Sequence, residues 1–144
     1  MFLDVLEHMK CPERLLQATK GVLEEDGQVI VSLPNIANIT VRLMLLFGRF
    51  SYTERGILDR THLRFFTRKS AREMLRSNGF EILDEKVTNM PLELLLPLTP
   101  HHPIMRAINE ILMVLTRAFR GLLGYQFVFV IAPKREAHFC REHV

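Results

Sequence analysis

QVIVSLPN, at residues 28–35, is the stretch that decides the fold class of this chain. The β-branched run at 28–33 predicts a buried strand, and Pro34 with Asn35 ends that strand at a turn. Upstream, Pro12 begins a predicted helix, which ends at Asp26-Gly27. The first third of the chain therefore predicts helix, tight turn and strand, which is half of an α/β unit.

The same alternation occurs twice more along the chain. Thr67 is a good N-cap for a second helix, which is followed by a strand at 80–87. A long helical pattern runs from Ile104 to Leu123 and precedes a last strand at 125–132. This order predicts a layered α/β sheet. Because three strands make a small sheet for that architecture, we expect the chain to be part of a larger fold.

Composition places the chain among ordinary globular proteins. Its 144 residues suit one domain, and 48% hydrophobic with 24% charged residues excludes a disordered chain. A net charge of +3 is too small to indicate nucleic acid, and none is expected as a partner. Cys11 and Cys140 have no zinc-type spacing. The sequence carries no signal peptide and no apolar run of about 20 residues, so we expect a cytoplasmic protein, peripheral to a membrane if it contacts one.

Five motifs resemble, in order and spacing, the C-terminal half of class I S-adenosylmethionine-dependent methyltransferases. They are DVLEH at 4–8, LPN at 33–35, GILDRTHLRFFT at 56–67, NGF at 78–80 and GYQF at 124–127. Within that superfamily they are similar to a bacterial type associated with sugar or polysaccharide biosynthesis. The resemblance covers residues 1–134 and leaves a charged tail at 135–144. It implies a partial Rossmann-like sheet, namely strands five to seven with flanking helices, and S-adenosylmethionine as the cofactor.

The chain departs from that family in its glycines. No two of the seven are spaced as G-x-G, so the Gly-rich cofactor loop is absent from this sequence. We therefore expect the chain alone to bind the cofactor weakly or not at all. The resemblance implies methyl transfer to an oxygen or nitrogen of a small or sugar-like acceptor, by a chain that is incomplete alone. The alternative is a truncated, non-catalytic remnant or interaction module that pairs with a partner.

The D-x-x-E-H motif places Asp4, Glu7 and His8 on one face of a helical turn. The resemblance implies that this segment lines the cofactor and substrate cleft, with Asp4 and Leu6 assigned to the cofactor. His8 and His62 are the candidate general bases, because imidazole titrates near neutral pH. No metal is predicted. The alternative, from resemblance to relatives with an E-x-x-E-H motif, is a metal held by Asp4, Glu7, His8 and His62.

Substrate contacts are predicted at two places. Asn35 follows a strand at the carboxyl edge of the sheet, where α/β folds bind ligands, although it could also cap a turn. Arg60 and Arg64, with Arg68, surround His62 in the sequence and would bind a phosphate or carboxylate. A solvated basic face is the alternative for the arginines.

Two further surfaces are predicted to meet partners other than the small-molecule or glycan acceptor. The basic and apolar pattern from Ile104 to Leu123 would lie on a membrane surface, which suits a lipid-linked substrate, or pack on the sheet. The strand at 28–33 would be a sheet edge that invites self-association.

Overall fold

A computed structural model describes residues 1–24, 26–90 and 103–134. Within them the predicted α/β class is confirmed. The chain forms a short 3-10 turn at Leu6–His8 and then, in order, α1 (Pro12–Val22), β1 (Val29–Pro34), α2 (Ile39–Leu46), α3 (Arg68–Ser77), β2 (Phe80–Val87), α4 (Pro103–Ala118), α5 (Arg120–Leu123) and β3 (Gln126–Pro133).

The sheet places its last strand in the middle. The order is β1-β3-β2, and β3 is antiparallel to both neighbours, with Val31 opposite Phe129 and Lys86 opposite Val128. Strands β1 and β2 therefore run in the same direction on either side of β3. The prediction of three strands, made as part of a methyltransferase sheet, is confirmed for the described residues.

The core lies between one face of the sheet and the helices. Side chains on β3 alternate between buried and partly exposed, which is the period-two pattern of a strand with one packed face. Burial of this apolar surface is the main force that holds helices and sheet together. The fully buried members are Leu6, Leu16, Val31, Leu33, Ala71, Leu75, Phe127, Phe129 and Ile131.

Helix α3 begins where its sequence predicts. The Thr67 side chain accepts a hydrogen bond from the Ser70 backbone N–H, and the Thr67 backbone N–H donates to Ser70 Oγ in return. This reciprocal capping box satisfies two donors that the first turn would otherwise leave unpaired. Gly79 follows the helix with a φ of +80° and turns the chain into β2. A left-handed φ is readily adopted by glycine, which lacks a Cβ atom.

The long pattern from Ile104 to Leu123 is two helices rather than one. The break falls at Phe119, whose φ and ψ are −114° and 52°. Beyond it, the Asn35 and Asn38 side chains donate to carbonyl oxygens of residues 121–124 and hold α5 beside the end of β1. Among the described residues, no helix has the length and apolar character needed to cross a membrane. The proline-rich stretch at 91–102 and the tail at 135–144, with Cys140, lie outside them.

The outer edge of β1 carries one residue of the N-terminal segment. Phe2 forms a parallel bridge with Val31. Its N–H donates to the Ile30 carbonyl at 2.8 Å, and its carbonyl accepts from the Ser32 N–H at 2.9 Å. Asp4, two residues later, has a φ of +54° and turns the chain away from the strand. Self-association through this edge remains a prediction.

Candidate functional site

Asp4 fixes the N-terminal segment between two strands. Its N–H donates to Ser32 Oγ at 2.9 Å, and its Oδ1 accepts from Ser32 Oγ and from Gln126 Nε2, each at 2.8 Å. Aspartate is among the few residues that adopt a positive φ without a large penalty. This turn carries the 3-10 turn at Leu6–His8 to the point where β3 begins.

The loop that holds His62 is tied to the same turn. The Glu7 carbonyl accepts hydrogen bonds from the backbone N–H groups of Leu63 and Arg64, at 2.8 and 2.9 Å. His8 and His62 consequently lie edge to face, with ring centroids 4.8 Å apart and planes at 70°. Two residues 54 positions apart in the sequence thus form one pair of imidazoles.

Both imidazoles have one ring nitrogen fixed by a backbone carbonyl. His62 Nδ1 lies 3.1 Å from the Ile57 carbonyl oxygen, and His8 Nδ1 lies 3.2 Å from that of Thr61. A carbonyl oxygen only accepts hydrogen bonds, so each Nδ1 carries a hydrogen. Each Nε2 is therefore the nitrogen available for a proton or a ligand. His62 is buried, whereas His8 is exposed.

An ionised carboxylate lies behind His8. Thr61 Oγ1 is 3.1 Å from His8 Nδ1 and donates to Asp59 Oδ1 at 2.7 Å. The Thr61 backbone N–H donates to the same oxygen at 2.8 Å. These bonds from Thr61 lower the pKa of Asp59. Asp59 therefore stays negative near neutral pH, next to the Thr61 hydroxyl that contacts His8.

Glu7 is the most unusual group of the site. Its side chain is fully buried, and neither carboxylate oxygen has a hydrogen-bond partner among the described residues. Burial, with a smaller contribution from the negative charge of Asp4, raises its pKa from 4.5 to about 7. Ligand atoms of Glu7, His8 and His62 all lie within 4.8 Å of one another. Asp4, the fourth member of the metal alternative, is outside that group.

Asp4, His8, Asp59 and His62 meet at a cavity of about 150 Å³ beside the ends of β1 and β3, whereas Glu7 does not line it. Sequence reasoning missed Gly56, Tyr125 and Gln126, although the GILDRTHLRFFT and GYQF motifs contain them. Burial raises the pKa of the Tyr125 phenol, with a further contribution from Asp4. Gly56 has a φ of +96°, and a Cβ there would lie 2.6 Å from the Tyr125 hydroxyl oxygen. The lining residues are Asp4, His8, Pro34, Gly56, Asp59, His62, Tyr125 and Gln126.

Asn35 and Leu6 lie in the interior. Asn35 is fully buried, its Nδ2 donates to the Gly121 and Gly124 carbonyls, and its Oδ1 accepts from the Ala37 N–H. The Asn35 side chain therefore forms hydrogen bonds with the protein's own backbone and does not line the cavity. Leu6 is fully buried in the core and offers no surface to a cofactor.

The predicted arginines each have a separate partner. Arg60 pairs with Glu54 at 3.4 Å, and both side chains are exposed. Arg64 donates to the Lys10 carbonyl at 2.6 Å. Arg68 pairs with Glu85 of β2, which raises the pKa of the guanidinium. The three guanidinium groups do not line the cavity around His62. Arg60 fits the alternative of a solvated basic face.

The described residues supply only one edge of a site for S-adenosylmethionine. Pockets for ligands of that size commonly enclose roughly 300–1,000 Å³, and this cavity holds about 150 Å³. Of the two residues assigned to the cofactor, Asp4 lines the cavity and Leu6 does not. Among the described residues, this cavity is therefore smaller than the pockets that usually hold ligands of that size.

Comparisons with known proteins agree with the motifs. Residues 1–85 match the model of a family described as a methyltransferase domain. A solved structure described as a SAM dependent methyltransferase from Archaeoglobus fulgidus matches with a TM-score of 0.52 and 19% identity. The match covers 93% of this chain and 57% of that chain, so this chain spans little more than half of its length. At this identity the likeness shows the fold alone. No curated protein gives a significant match.

Proposed function

The chain belongs to the methyltransferase-domain family, and from this premise we propose that it forms the acceptor side of an S-adenosylmethionine-dependent methyltransferase. The acceptor would be a small or sugar-like molecule that is methylated on oxygen or nitrogen. Support comes from one observation above all, the convergence of His8 and His62 on a cavity with each Nε2 left available.

His8 is the proposed general base. Its ring is exposed at the cavity, and its Nδ1 contacts the Thr61 hydroxyl, which donates to Asp59. His8 Nε2 would take the proton that the acceptor O–H or N–H loses on methylation, and would release it to water afterwards. General-base catalysis typically contributes roughly 10²–10⁴-fold in rate, and correct positioning supplies much of the remainder. His62 would position His8 through the edge-to-face contact.

The cofactor would supply the methyl group, but this chain does not contain a complete place for it. We propose that the missing surface comes from a further segment or from a partner, and that Asp4 lies at the boundary of that surface. The cavity volume and the burial of Leu6 support this view. The alternative is that the chain is a non-catalytic interaction module. That alternative predicts stable self-association and no methyl transfer in any assembly.

A metal-assisted reaction is the second candidate, because one specific observation favours it. The two Glu7 oxygens are buried without a hydrogen-bond partner among the described residues, and they lie with the two imidazoles in a cluster that could hold a divalent ion. Such an ion would polarise an acceptor hydroxyl. Titration with Zn²⁺ or Mn²⁺ after treatment with a chelator tests this candidate. Tight binding that Glu7→Gln removes would favour it, and no binding would exclude it.

Calorimetric titration of S-adenosylmethionine into the chain, and into a form extended upstream, tests the proposal. We expect no micromolar binding by the 144-residue chain, and binding with methyl transfer by the extended form. His8→Gln in the active form should lower kcat by about 10²-fold or more. Micromolar binding by the short chain would contradict incompleteness. Binding by neither form would favour the interaction module.

A further inference from the structure

Residues 43–52 expose an unusual amount of apolar surface. Leu46 and Phe47 are 76% and 74% exposed, which is rare for large apolar side chains. We call this set the 43–52 surface: Leu43, Leu45, Leu46, Phe47, Phe50 and Tyr52, all of them exposed.

The 43–52 surface comprises exposed side chains of α2 and of the residues that follow it. Helix α2 is held by Val41, its one buried residue, which packs against Ile57 and Leu58. Phe50 and Tyr52 lie edge to face with ring centroids 5.3 Å apart, so the apolar area continues past the end of the helix. A helix that is apolar on most of its faces is normally covered. Across residues 1–24, 26–90 and 103–134, the structure leaves these six side chains between 46% and 76% exposed.

The charged residues around this surface indicate which kind of partner it would bind. Residues 39–55 contain three arginines, Arg42, Arg49 and Arg55, and a single acid, Glu54. Exposed aromatic and aliphatic side chains bordered by cations fit the interface of a membrane rich in anionic lipid. Tyr52 suits such an interface, because its ring is apolar and its hydroxyl can remain in water.

We propose that the 43–52 surface binds the face of an anionic phospholipid bilayer. The adjoining chain leads to the cavity, because the Thr53 carbonyl accepts from the Arg60 N–H at 3.1 Å and Thr53 bridges to Asp59. A bilayer bound here would thus lie next to the cavity. The proposal does not depend on methyl transfer.

Sedimentation with lipid vesicles tests the proposal on the full chain. Vesicles of phosphatidylcholine are compared with vesicles in which about a quarter of the lipid is phosphatidylglycerol. We expect binding to the anionic vesicles that weakens with salt. The double variant Phe47→Ser, Phe50→Ser should bind at least about ten-fold more weakly. Arg49→Gln, which disturbs no packing, should bind about five-fold more weakly to anionic vesicles only.

A variant at two positions outside both predicted membrane surfaces provides the matched control. Val22 of α1 and Leu83 of β2 are 82% and 49% exposed, so Val22→Ser with Leu83→Ser removes similar exposed apolar character elsewhere. We expect its binding to stay within two-fold of the parent, with circular dichroism confirming that each variant is folded. Unchanged binding by the Phe47, Phe50 and Arg49 variants would overturn the proposal, as would no binding by the parent. A dimer in light scattering that Phe47→Ser dissociates would also overturn it, because a second copy would then be the cover.

Discussion

Glu7→Gln should stabilise the protein, and increasingly so as the pH rises. The Glu7 carboxylate is fully buried without a hydrogen-bond partner among the described residues, and its pKa is raised to about 7. A raised carboxyl pKa means that the folded state holds its proton at a pH where the unfolded state has lost it. The contribution of Glu7 to stability is therefore greatest below pH 4.5, falls as the pH rises to about 7, and is constant above that.

The magnitude follows from the two pKa values. A shift from 4.5 to about 7 corresponds to about 3 kcal/mol of lost stability at alkaline pH, at about 1.4 kcal/mol per pKa unit. Roughly 1 kcal/mol of this has already been lost at about pH 5.5, so about 2 kcal/mol separates pH 5.5 from pH 8.5. Glutamine has nearly the shape of glutamate and does not titrate. The stability difference between variant and parent should thus grow by about 2 kcal/mol over this range.

Urea unfolding followed by circular dichroism measures this difference, in buffers that contain a chelator. Glu54→Gln is the control, because Glu54 is exposed and pairs with exposed Arg60. The stability difference between this variant and the parent should not grow from about pH 5.5 to pH 8.5. A Glu7→Gln advantage that is flat, or that shrinks with rising pH, would refute the reasoning. It would mean that the carboxylate has a partner that stabilises its charged form.

Three substitutions test the elements around the site by urea unfolding. Thr67→Ala should lower the free energy of unfolding by about 1 kcal/mol through loss of the capping box. Lys69→Ala in the same helix should change it little, and equal losses would contradict the capping role. Gly56→Ala should lower the free energy of unfolding by about 1–2 kcal/mol, because alanine is strained at a φ of +96° and its Cβ would displace the Tyr125 hydroxyl. An unchanged free energy of unfolding would mean that the loop relaxes freely. Asn35→Ala should cost about 1–3 kcal/mol by leaving the Gly121 carbonyl without its donor, and a cost near zero would show that water replaces the amide.

Local signals in the sequence predicted most of the elements. Pro12, Thr67 and Gly79 mark boundaries that the structure confirms, because caps and turns depend on neighbouring residues only. The position of β3 between β1 and β2 could not be predicted from spacing. It depends on pairs such as Val31 with Phe129, which lie about a hundred residues apart and leave no local pattern. The break at Phe119 was missed for the same reason, since distant asparagine side chains hold α5.

The site was predicted in part. His8 and His62 were predicted as candidate general bases, and the structure places their rings in contact. What the sequence could not show is which polar groups are used internally. The Asn35 amide donates to backbone carbonyls, and Arg68 pairs with Glu85 of β2. The sequence does not show these pairings, because the partners are distant along the chain. The burial of Glu7 is likewise a property of the packed loop and not of the D-x-x-E-H spacing.

The central position of β3 has a consequence for synthesis on the ribosome. Strand β1 ends at Pro34, but its hydrogen-bonded neighbour, β3, spans Gln126–Pro133. At roughly 5–20 residues per second, about 5–20 s separate the two strands during translation. Throughout that interval β1 lacks β3, its hydrogen-bonded neighbour in the described sheet, and β2, once made, lacks the same neighbour. A nascent chain of this protein therefore exposes β1 until β3 has been made. A frameshift that removes β3 would abolish the sheet as a whole.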